Sequence, residues 1–217
     1  MEKLDRAKEF SFNDTSYQEI LPGLEKENPN SFWDSKFNDL SYESLLSDCF
    51  NRSEDEFEFH ISLGEEIMQT LSTFNGDKWN DLSVEEREKL IDKLVEGICD
   101  ELGIDDIPFV AYYEADEFDC GFYDYSDNSV SINELFLDNP REIVEILAHE
   151  MRHAYQHQRA DIGETQEDLI YQCNLDNYIK PIELPDKSYI MFFDYQDQYV
   201  EAEARAYSNA FMEGIGW

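Results

Sequence analysis

The stretch AHEMRHAYQHQ, residues 148–158, carries three of the four histidines in the chain. His149, Glu150 and His153 form the pattern H-E-x-x-H in a run with no helix breaker. Residues four apart on a helix lie about 40° from each other around the axis and about 6 Å apart along it. Two imidazoles on one face can therefore grip a single zinc ion, and Glu150 flanks the same region as a general base. His157 continues the spacing, but it stands about 12 Å along the axis from His149, too far for all three rings to share one ion. It is read as a supporting or surface group. His60 is remote in sequence and is read as structural.

The elements around this pattern position it. Asn139, Pro140 and Glu142 predict a helix start by cap, first-turn proline and acidic first turn, and the helix then runs past His157. Upstream, Ser83-Val-Glu-Glu86 is a capping box, with Leu90, Leu94 and Ile98 at helical spacing before Gly103 closes the helix. IPFVAYYEA (107–115) reads as a strand, and GFYDY (121–125) and SVSIN (129–133) as a hairpin around a short turn. Downstream, a polar stretch (160–188) precedes a last helix over roughly 194–213. The order is helix, strand, hairpin, long helix, loop, helix, an α+β arrangement.

A third ligand is expected from a downstream carboxylate, and YVEAEARAYSNAF (199–211) is the segment that offers one. Its alanines would let it approach the motif helix closely. Glu201 and Glu203 are two apart, so they point to different faces, and helix geometry alone does not choose between them. Tyr199, Tyr207 and Arg205 flank Glu201 and are the candidates for a second electrophile beside an oxyanion.

HEMRHAYQ followed by YQDQYVEAEARAY resembles the small bacterial and phage zincin-like metallopeptidases, which carry an H-E-L-R-H-A-Y-Q helix and a later E-x-D-A-R helix. GFYDYSDNSVSIN resembles the hairpin that precedes their motif helix. The resemblance covers about residues 105–212. It implies a gluzincin-type zincin-like fold, zinc held by His149, His153 and Glu201, Glu150 as the base, and hydrolysis of a protein or peptide. It sets Glu203 at the aspartate position of E-x-D-A-R, where it could bond a ligand imidazole or pair with Arg152 or Arg205. One departure from thermolysin-like members is Arg205, which stands where those carry an aspartate. In zincins an edge strand pairs with extended substrate; SVSIN or its hairpin partner is expected to serve.

The charge balance, 51 acidic against 16 basic residues for a formal −35, repels nucleic acid and anionic membranes. It admits a cationic protein partner or a mimic of nucleic-acid charge, although a well-solvated acidic surface is the stronger reading. Hydrophobic residues at 41% supply one main core. Residues 1–75 read as an acidic extension of short helices that packs on the main domain or is partly disordered. It includes ENPNS (27–31), FWDSKF near Phe32, and a face made of Leu40, Leu45, Leu46 and Phe50. Residues 76–217 read as the metallopeptidase domain. Four cysteines without a C-x-x-C pair argue against thiolate zinc sites. With no apolar leader and no long apolar span, a cytoplasmic protein with free thiols is expected. Two other readings compete: a catalytically idle zincin-fold binding or inhibitory protein working through its acidic surface, and an effector peptidase with a single target.

Overall fold

The chain divides into two units, Met1–Tyr42 and Glu43–Trp217, and the computed structural model describes residues 42–217 except 75, 118 and 185–188. ENPNS, FWDSKF and Leu40 lie outside the described residues. Helix α1 (Tyr42–Asp48) buries Leu45, and Cys49 just beyond it, while Leu46 and Phe50 are half-buried. Two further short helices follow, α2 (Glu65–Leu71) and α3 (Gly76–Asn80). Ile67, Leu71 and Phe74 join the main core, and Phe74 stacks on Trp79 at 4.6 Å. The second compact unit begins at Glu43.

Helix α4 (Val84–Leu102) starts at the Ser83–Glu86 capping box and ends on Gly103 in the left-handed conformation, as the sequence predicts. Its stripe of Ile91, Leu94, Val95 and Ile98 is buried at helical spacing. Strands β1 (Phe109–Tyr113), β2 (Gly121–Asp124) and β3 (Ser129–Asn133) form a three-stranded sheet in the order β1-β3-β2. β3 pairs parallel with β1 and antiparallel with β2. All five residues of β3 are buried, as a central strand covered on both faces requires.

Helix α5 (Pro140–Ile162) carries the H-E-x-x-H pattern and packs against α4, β2 and β3. Proline holds its first turn, but the Asn139 side chain makes no capping hydrogen bond, so only part of the expected cap is formed. Ile143, Val144, Leu147, Ala148 and Met151 are fully buried, each of the larger ones contributing roughly 1.5–3 kcal/mol of apolar burial. The polar stretch 160–188 is not all loop. It folds into α6 (Gln166–Asp176), started by a capping box of Thr165 and Asp168, and later into the short paired strands β4 (Ile182–Glu183) and β5 (Tyr189–Ile190).

The expected last helix is two. α7 (Phe192–Gln196) and α8 (Tyr199–Gly214) are separated at Asp197 and Gln198. Gln198 is fully buried with extended backbone, and its amide bonds both the N–H and the C=O of Ile179, at 3.1 and 3.0 Å. Fixing the loop in this way breaks the helix. α8 packs along α5, with α6 beside both. Among the described residues, no helix is long and apolar enough to cross a membrane.

Candidate metal centre

The buried stripe of α5 sets the direction of its other side chains. With Ala148 and Met151 in the core, His149 and His153 project together on the flank that meets α8. Their Nε2 atoms stand 3.2 Å apart. Ala202 and Ala204 of α8 are fully buried, and such small side chains permit close approach of the two helices. Glu201 is 1% exposed, and one carboxylate oxygen lies 3.5 Å from His149 Nε2, the other 3.5 Å from His153 Nε2. One ligand atom from each of the three residues falls within 4.8 Å of the others. Ligands about 2.0–2.2 Å from zinc in a tetrahedron stand roughly 3.3–3.6 Å apart, about the spacing of the two imidazole nitrogens from each other and of each from its nearer carboxylate oxygen. Burial would raise the Glu201 carboxyl, but the two histidines and the Tyr178 hydroxyl outweigh it and hold it down to about 2.

Glu150 lies beside this group, 8% exposed. Its Oε2 accepts the N–H of Tyr123 at 3.0 Å. β2 is a sheet edge, and since Asn133 N–H bonds Cys120 C=O, alternation turns the main-chain groups of Gly121 and Tyr123 away from β3. A Cβ on Gly121 would sit 2.7 Å from Ile146 Cγ2 and 2.8 Å from the Ser131 carbonyl. Only glycine lets β2 lie this close to α5. Burial pushes the Glu150 carboxyl up to about 7; Glu201 adds to the shift, while His153 and the Tyr123 N–H oppose it.

Glu203 occupies a different environment. It is also 1% exposed, and it accepts hydrogen bonds from Arg152, from the Tyr171 hydroxyl at 2.6 Å and from Gln156 Nε2 at 2.7 Å. Arg152 stacks over the rings of Tyr155 and Phe59 at 4.2 and 4.8 Å. Burial disfavours its charge, yet Glu203 more than offsets this and raises its pKa. Of the partners expected for Glu203, Arg152 is the one it has. Gln156 Oε1 lies 2.8 Å from His153 Nδ1, so this network touches one imidazole of the centre.

The expected flanking residues go elsewhere. Tyr207 donates its hydroxyl to Glu101 in the core, Tyr199 packs edge-on against Phe57 and Tyr171, and Arg205 bonds the Gln196 carbonyl at 2.6 Å. None of the three reaches the centre, because residues 199, 205 and 207 face other neighbours around α8. The phenols that do reach it are Tyr178, which donates to Glu201 Oε1, and Tyr195, which bonds both Glu201 and Tyr178. One follows α6 and the other sits in a five-residue helix, so no periodic pattern marks them. His157 stacks on Tyr125 at 4.6 Å outside the group, and burial lowers its pKa to about 4. His60 is exposed.

Compared with protein-family models, curated proteins and solved structures, the chain has no match. Its site stands on geometry: two imidazole nitrogens and a carboxylate converge, with a second buried carboxylate alongside.

Proposed function

We propose that this chain is a zinc-dependent peptidase of zincin-like architecture, with zinc held by His149, His153 and Glu201. The observation that carries the reading is Glu150, buried beside the three ligands with its pKa near neutrality, which a merely structural metal site has no use for. Bound zinc supplies Lewis-acid chemistry: it polarises a carbonyl and acidifies water. Tyr123 N–H occupies Glu150 Oε2, leaving Oε1 to take a proton from the attacking water and deliver it to the departing amine nitrogen. Tyr178 and Tyr195, and not the expected Tyr199, Tyr207 and Arg205, are the phenols at the site, and their hydroxyls are spent on holding Glu201. Because β3 is the central strand, of the two hairpin strands it is β2 that lies at a sheet edge where an extended peptide could pair, through groups other than the Tyr123 N–H held by Glu150.

Glu150→Gln tests the reading. The variant should keep stoichiometric zinc and lose turnover of an unfolded protein such as reduced, carboxymethylated lysozyme. An unchanged rate would sink the mechanism. A wild-type protein that holds zinc yet cleaves nothing would favour the idle binding protein instead.

A further inference from the structure

Gln156 lies three residues after His153 on α5 and is fully buried. A primary amide has a donor end and an acceptor end, and its neighbours decide which way it points. Two acceptors face its NH2 group: the Val200 carbonyl at 2.9 Å and Glu203 Oε2 at 2.7 Å. A backbone carbonyl has no proton to give, and Glu203 is a carboxylate held by Arg152 and the Tyr171 hydroxyl. The NH2 end is therefore fixed toward α8, and the oxygen end faces His153 Nδ1 at 2.8 Å. An amide oxygen only accepts, so Nδ1 must carry the hydrogen. A neutral imidazole has one N–H, which leaves Nε2 with a bare lone pair. That lone pair points toward His149 Nε2 and Glu201.

We propose that Gln156 is the positioning residue of the centre, locking His153 in the Nδ1–H tautomer so that its Nε2 is ready to bind a metal. The lock is anchored on the buried Arg152–Glu203 pair and on Tyr171 of α6, so water does not reset it. Partners of this kind fix ring orientation and ligand basicity, and their loss typically lowers metal affinity about 10–100-fold. The consequence for metal rests on the zinc reading; the tautomer does not.

Long-range 1H–15N correlation spectra of metal-free protein, at a pH where the imidazoles are neutral, read the tautomer directly. His153 should show a protonated Nδ1 and an unprotonated Nε2. Gln156→Leu should give mixed tautomers at His153 and weaken zinc binding about 10–100-fold in chelator competition, whereas His157→Ala should do neither. A wild-type His153 protonated on Nε2 overturns the proposal. So does a folded Gln156→Leu variant with unchanged tautomer and unchanged zinc affinity. If that variant does not fold, the wild-type spectrum alone decides. A wild-type protein with the Nδ1–H tautomer but no zinc binding upholds the lock and refutes the metal reading, so the two failures are distinct.

Discussion

Glu201 and Glu203 sit two residues apart on one helix, each about 1% exposed, yet their surroundings differ in kind. Glu203 meets a guanidinium, a phenol and an amide, and its charge is neutralised by Arg152. Glu201 meets two phenols and two imidazole nitrogens, groups that bring no permanent positive charge. A buried carboxylate without a fixed counterion is costly. The protein meets that cost with Arg152 on one side of α8, and on the other Glu201 faces His149 and His153. The same residue type is thus ion-paired framework in one region and the proposed ligand in the other, and the partner set makes the distinction.

The comparison can be broken by removing each carboxylate. The largest effect is expected for Glu201→Ala, which should abolish stoichiometric zinc in metal analysis while leaving the metal-free fold intact. Glu203→Ala should do the reverse. Stranding Arg152 should cost about 3–5 kcal/mol in denaturant unfolding, and zinc should weaken only about 10–100-fold. If Glu203→Ala shows the larger metal loss, the two roles are reversed.

A smaller effect is expected where α6 closes over the Glu203 side. Asp168 accepts from Arg159 and from the N–H groups of Glu164 and Thr165. Burial would raise its carboxyl, but these partners outweigh it and lower the pKa. Its contribution is therefore complete above the unfolded value near ~3.9 and is lost as pH falls through the lower folded value. Asp168→Asn should cost about 1–3 kcal/mol at neutral pH, and the gap to wild type should close in acid. A gap independent of pH would contradict the assignment. Smallest of all, His157→Ala should leave zinc content unchanged, since that ring stacks on Tyr125 and not on the ligands.

What was readable in the sequence is what repeats or caps. The Ser83 box, the hairpin and the motif helix each carry a local signature, and His149 and His153 follow from helix geometry. The choice of Glu201 came from resemblance, because two carboxylates on opposite faces are equivalent until neighbours are known. Helix α6 carries one local signature, the Thr165-x-x-Asp168 capping box. Its acidic first turn and buried Asp168 and Asn174 blur the apolar pattern that marks a helix. The burial of Glu203 is equally illegible, because α6 covers its flank through Tyr171. Tyr178 and Tyr195 were illegible for a related reason: a loop and a single helical turn bring them to Glu201, and only the tertiary fold sets their reach. Parallel pairing of β1 with β3 likewise has no local signature.

The central claim is that His149, His153 and Glu201 hold one metal ion. Anomalous diffraction at the zinc edge, from crystals of zinc-loaded protein, tests it most directly. The expected result is one full-occupancy peak about 2.0–2.2 Å from both Nε2 atoms and a Glu201 carboxylate oxygen. A zinc peak held by other residues, or no peak at this position with zinc in excess, would contradict it.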